Sequence, residues 1–143
     1  MNSEQIQLVQ STFNSVRPIA GVAAQLFYDQ LFELDPSLRS LFKGDITRQG
    51  QMLMSMLGTA VNGLSKLETL VPVVHQLGIR HAGYGVRTEH YDTVGSALLW
   101  TLEKGLGNEF TPAARAAWTV AYALLAQTMQ AGAHEAETAM ASS

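Results

Sequence analysis

The chain carries four prolines in 143 residues, and each of them reads as a helix start. Proline fixes φ and lacks an amide hydrogen, so a helix accepts it in the first turn. It also pushes the residue before it out of the helical region. Arg17-Pro18 therefore ends one helix and opens the next. Asp35-Pro36 pairs a capping carboxylate with a proline at the first helical position, and Thr111-Pro112 repeats the arrangement with a hydroxyl. Pro72 predicts that a further helix begins near it.

The apolar spacing between these marks is helical throughout. Ser3 can cap a first helix, in which Ile6, Val9, Phe13 and Val16 follow at steps of three, four and three. From Pro18 to about Leu34 the apolar positions are Ile19, Val22, Ala23, Leu26, Phe27 and Leu31, with Tyr28 among them. A short helix from Pro36 ends around Leu41-Phe42, and Lys43-Gly44-Asp45 is a turn. Ile46 to Gly63 carries Gln49, Leu53, Leu57 and Val61 on one stripe. The Pro72 helix ends at Gly83 and Gly85. Thr88 caps the next, whose stripe is Tyr91, Val94, Leu98 and Leu102, closed by Gly105 to Gly107. The last runs from Pro112 to Gly132 with Trp118, Tyr122, Leu125 and Met129 on one face. The tail from Ala133 is expected to fray, with residues 136–143 flexible. No segment alternates with period two. The reading is a single all-α domain over residues 1–143, with about seven helices.

Composition excludes several functions. Hydrophobic residues make up 47 % of the chain, enough for a core. Net charge is −3 with no basic run or patch, which argues against nucleic acid. Cysteine is absent, so there is no disulfide, thiolate metal site or thiol nucleophile. The polar, acidic start is not a signal peptide, and Ala113 to Ala131 is too interrupted by Arg115, Gln127 and Gln130 to span a membrane. A cytoplasmic protein is expected.

The stretch from Leu70 to Val86 carries the chemistry. Leu70, Val74, Leu77 and His81 share one helical face, so the imidazole ends an apolar stripe just before a glycine-punctuated turn. Taken alone, such a histidine is more often an ordinary core or surface residue than a ligand. His75 and His90 read as surface residues near helix starts, and His134 lies in the tail. Met52, Met54 and Met56 crowd one helix, and Met52 or Met56 is placed to pad a pocket edge.

The order of pieces resembles a globin. The carriers are Leu26-Phe27-Tyr28-Asp29-Gln30-Leu31-Phe32, then Asp35-Pro36 with Leu41-Phe42, then Gln49 with Leu53. They continue with His81-Ala-Gly-Tyr-Gly-Val86, His90-Tyr91-Asp-Thr-Val94-Gly95 and Ala117-Trp118 with Ala121-Tyr122. The set is similar to the bacterial single-domain haemoglobins of the flavohaemoglobin group, the Vitreoscilla type. The short connection from Phe42 to Gln49 is closer to the Hell's Gate globin subset. The resemblance implies a globin fold around a haem b pocket. His81 would be the proximal iron ligand, and Phe42 would pack on the haem. Tyr28 and Gln49 would form the distal polar pair, and Leu53, Leu77, Val86, Val94 and Leu98 the apolar walls. Tyr91 matches a proximal-side tyrosine that joins the haem-binding histidine and a glutamate in flavohaemoglobins. Here Ala133 stands where that glutamate is expected, with Glu135 and Glu137 just beyond.

The expected ligands are O₂, NO or CO. Bound O₂ acquires negative charge, and hydrogen bonds to a charged acceptor contribute about 1.5–3 kcal/mol each. Donors at Tyr28 and Gln49 therefore imply tight, slowly released O₂. The resemblance adds nitric oxide dioxygenation with a separate reductase, in a monomer or homodimer. The alternatives are a peroxidase-like or sulfide-binding haem protein, a gas sensor, or a haem-free interaction module on the same fold.

Overall fold

The computed structural model describes residues 1–42 and 44–142, with side chains through residue 138. Lys43 of the expected turn and Ser143 lie outside the described residues. Six α-helices account for most of them: α1 (Ser3–Val16), α2 (Ala20–Leu34), α3 (Ile46–Gly63), α4 (Leu67–Gly83), α5 (Thr88–Leu106) and α6 (Pro112–Ser142). Three 3-10 segments, Arg17–Ile19, Pro36–Leu41 and Gly107–Glu109, join them, and no strand occurs among the described residues. The seven expected helical segments are all present, the third of them as the 3-10 segment Pro36–Leu41.

The caps explain most boundaries. Asn2, and not Ser3, caps α1: its Oδ1 accepts the Gln5 amide at 2.8 Å, while Gln5 Oε1 accepts the Asn2 amide at 3.0 Å. Asp35 Oδ1 accepts the Ser37 amide, Asp45 Oδ1 the Thr47 amide and Thr111 Oγ1 the Ala114 amide, which starts three segments with side-chain caps. Thr88 does not cap α5. Arg87 holds that position, and its amide donates to Nδ1 of His90 at 2.9 Å.

Two helices are longer than their sequence signals. α4 begins at Leu67, so Pro72 lies inside it. Leu70 is buried and lies against the Gly63 backbone, which draws the turn before the proline into the helix. Pro72 itself is exposed, so water can serve the carbonyl that loses its intrahelical donor. α6 runs on to Ser142, ten residues past Gly132, in place of the expected fraying from Ala133.

The core is centred on Val9, Phe13, Leu31, Leu98, Ala117 and Trp118. Trp118 Nε1–H donates to Thr12 Oγ1 at 2.8 Å, and that hydroxyl donates to the Leu8 carbonyl at 2.6 Å. A buried indole is thus satisfied by a threonine 106 positions away, which pins α1 across α6. The crossing of α4 and α6 is closer still. A Cβ on Gly78 would collide with the Met129 carbonyl, and one on Gly132 with the His75 carbonyl. Only glycine at both positions lets the two backbones approach this far.

Candidate functional site

α4 positions His81 four residues after Leu77, and the geometry follows from that spacing. His81 Nδ1 lies 2.9 Å from the Leu77 carbonyl oxygen. A carbonyl can only accept, so Nδ1 carries the proton and Nε2 keeps its lone pair. Burial lowers the imidazole pKa, opposed in part by the Leu77 hydrogen bond. A neutral, oriented imidazole with a free Nε2 is the form that ligates a metal.

α2 supplies Tyr28. Tyr28 is buried in an aromatic cluster. Phe32, one turn on, stacks on it at 5.9 Å between ring centroids, and Phe42 meets it edge-on at 5.2 Å. The Tyr28 hydroxyl makes no hydrogen bond to another described residue. Burial pushes its pKa up to about 12, so the group is a protonated hydroxyl near neutral pH. α3 comes close to α2 because residue 50 is glycine: a Cβ there would lie 2.9 Å from the Ala24 methyl and 3.9 Å from the Tyr28 ring. That approach carries the adjacent Gln49, which is half-buried, to the same end of α2.

The apolar candidates divide by depth. Leu53, Leu77, Val86 and Val94 are half-buried, while Leu98 is buried in the core. Leu53 and Leu98 line one small apolar cavity of ≈ 20 Å³ with Phe13, Phe27, Leu57 and Trp118. Met54 joins that lining, whereas Met52 and Met56 are exposed and do not line this cavity.

Tyr91 is buried, and its hydroxyl has no hydrogen-bond partner among the described residues. Glu135, the first carboxylate beyond Ala133, instead pairs with His75 Nε2 at 2.9 Å. His75 is therefore engaged with α6 and is not a free surface residue. Tyr122, which spacing marks only as a core position, donates its hydroxyl to the Tyr91 carbonyl at 2.6 Å. Phe32, Gly50 and Tyr122 are the residues that sequence reasoning left out of the site. The step of four from Tyr28 was a signal for Phe32; Gly50 and Tyr122 had none.

Among the described residues, no group of three or more His, Cys, Asp or Glu could hold a bare metal ion. A single histidine with Nε2 left free by its Leu77 bond, and a buried tyrosine whose hydroxyl has no hydrogen-bond partner among the described residues, suit a prosthetic group that brings its own metal. No helix is long and apolar enough to cross a membrane among the residues described.

A family model described as Globin matches residues 25–129. The chain is 28 % identical to the flavohemoprotein of Bacillus subtilis over 130 residues, covering 88 % of this chain and 32 % of that protein. The flavohemoprotein of Vibrio cholerae gives 28 % identity, covering 89 % and 33 %. This chain thus spans about a third of the length of those relatives. Zebrafish (Danio rerio) neuroglobin is 31 % identical over 121 residues, covering 75 % of this chain and 76 % of it. A solved structure of an engineered carbene transferase, a presumed nitric oxide dioxygenase from Rhodothermus marinus, superimposes with a TM-score of 0.88. It has 25 % identity and 99 % coverage of both chains.

Proposed function

We propose, from the premise that this chain belongs to the globin family, that it holds haem b between α3 and α4 and reversibly binds O₂ there. Two observations support this reading: His81 has its Nδ1–H fixed on Leu77, and no other described residue engages the Tyr28 hydroxyl. Haem, when bound, supplies the iron at which a diatomic gas binds.

The chain's own residues do the rest. His81 would hold the haem iron through Nε2, with its ring kept in one orientation by the Leu77 carbonyl. Leu53, Leu77, Val86 and Val94 supply apolar walls that exclude water, and Phe42 and Phe32 hold the Tyr28 ring from two sides. Tyr28 would offer a hydrogen bond from its hydroxyl to a ligand in the pocket, and burial keeps the phenol protonated. Gln49 adds a second donor that has no proton to titrate near neutrality. Slow O₂ release follows from the two donors.

The same arrangement supports oxidation of nitric oxide, in which NO, O₂ and one electron give nitrate. The electron comes from a separate reductase. The peroxidase-like alternative has less support, since Glu135 is engaged by His75 and the Tyr91 hydroxyl has no acidic partner.

The deciding experiment is the absorption spectrum of protein expressed with adequate haem, recorded ferric, reduced, and reduced then exposed to O₂ or CO. A stoichiometric Soret band that shifts with each gas is expected, and His81→Ala should lose most of the haem. Absence of haem uptake would sink the reading and favour a helical interaction module.

A further inference from the structure

The chain is acidic, but its charge is unevenly placed. Segments 39–48 and 80–89 carry five basic and two acidic side chains; the other 123 residues carry four basic and ten acidic. These segments are the ones that flank the site. Arg39 and Lys43 bracket Phe42, Arg48 precedes Gln49, Arg80 precedes His81 and Arg87 follows Val86. In sequence they form no run, which is why no basic patch is expected there; the fold brings the first segment, at Leu41, against the second, at Gly85.

The contact between the two segments is specific. A Cβ on Gly85 would lie 3.6 Å from Leu41 Cδ2, so the turn before α5 abuts the end of the 3-10 segment Pro36–Leu41. The Arg39 guanidinium sits 5.2 Å from the centre of the Phe32 ring, which stacks on Tyr28. Arg39, Arg48, Arg80 and Arg87 are exposed, and none forms an ion pair with another described residue. Of the two acids in these segments, Asp45 is occupied as the cap of α3 and Glu89 is exposed in the first turn of α5. Tyr84 stands between Arg80 and Arg87 at 68 % exposure, and an exposed aromatic among arginines is a common anchor of protein interfaces.

A basic rim on an otherwise acidic molecule selects both the sign and the place of a partner. An acidic protein is repelled over most of this surface and attracted at the mouth, with a range of about 8 Å at physiological salt. The site itself needs an electron from outside whenever its iron is ferric. We infer that the rim of Arg39, Arg48, Arg80 and Arg87, with Tyr84, docks an acidic one-electron carrier protein of the flavodoxin class. This rests on the haem-binding reading above. In the step, the reduced flavin of the carrier loses one electron and ferric iron gains it; no bond forms or breaks.

The test uses an acidic flavodoxin and two readouts. In the first, isotope-labelled protein is titrated with oxidised flavodoxin, and amide shifts should concentrate at residues 39–42, 48 and 80–89. In the second, the second-order rate of reduction of the ferric protein by reduced flavodoxin should fall at least about tenfold between about 20 mM and about 300 mM salt. The double variant Arg48→Glu/Arg87→Glu should lower it by a similar factor, with reduction by dithionite unchanged. A rate insensitive to salt and to charge reversal would overturn the proposal. So would equal shifts from a short DNA duplex, or charge reversals that strip haem while flavodoxin binding persists, which would assign the rim to the haem's own carboxylates. The titration is repeated on haem-free protein. A chain with no Soret band, which fails the earlier reading, still shows by its amide shifts whether the rim docks the carrier.

Discussion

The two walls of the candidate site are built on opposite plans. The α4 wall is closed by pairing. His81 is tied to Leu77, His75 to Glu135, and the α4 and α6 backbones meet at Gly78 and Gly132. The wall made by α2 and α3 is closed by packing alone. Tyr28 is fixed by Phe32 and Phe42, yet its hydroxyl and the Gln49 side chain make no hydrogen bond to another described residue. Under the proposed haem-binding reading, the difference would be a division of labour: one wall would hold His81 still, and the other would keep donors free for a ligand that comes and goes.

The strongest way to break this contrast is at the helix crossing. Gly78→Val or Gly132→Val forces a side chain into a backbone carbonyl, so α4 and α6 must separate. A loss of more than about 3 kcal/mol is expected by chemical denaturation; a variant that denatures like wild type would show that the crossing does not hold the wall. On the other wall, Tyr28→Phe should raise the O₂ dissociation rate about 10- to 100-fold, the kinetic equivalent of one hydrogen bond to a charged acceptor. Gln49→Leu should raise it less. Stopped-flow displacement of O₂ measures both, and an unchanged rate in Tyr28→Phe would end the distal-donor argument.

A third test uses alkali. Burial raises the Tyr28 pKa to about 12, so the folded state disfavours phenolate more than the unfolded state does. That part of the stability is intact below the unfolded pKa of about 10 and is lost as pH rises through 12. Wild type should lose about 2 kcal/mol more than Tyr28→Phe between pH 10 and pH 12, read from denaturant midpoints. Equal losses would mean that the ring is open to water. The smallest effect is expected at Glu135→Gln. That pair is partly exposed on both sides, with side-chain exposures of 31 % and 73 %, and should contribute less than about 1 kcal/mol with no change in O₂ release. A large loss would make the ion pair, and not the glycine crossing, the main link between α4 and α6.

The helical segments were readable because capping and proline chemistry are local. Asp35-Pro36 and Thr111-Pro112 start segments where the dipeptides say they must. Pro72 misleads for a physical reason: burial of Leu70 against Gly63 outweighs one missing hydrogen bond on an exposed face. The end of α6 is hidden in the same way, since Gly132 reads as a stop in sequence and is in fact a contact surface for His75. At the site, the spacing of Leu77 and His81 already contains their hydrogen bond, and the step from Tyr28 to Phe32 contains their stacking. The meeting of Tyr28 with Phe42, of Tyr122 with the Tyr91 carbonyl and of His75 with Glu135 depends on how distant segments fold together, and no local pattern encodes it.

The crossing at Gly78 and Gly132 also makes α6 a mechanical lever. Its C-terminal third is joined to the helix that bears His81, so load applied beyond Ser142 is transmitted to that histidine. Load applied at Met1 enters through α1, which grips α6 at Trp118, a long way up the helix from Gly132. A surface-tethered or fused form of this protein should therefore keep its ligand kinetics when held by the first residue and shift them when held by the last.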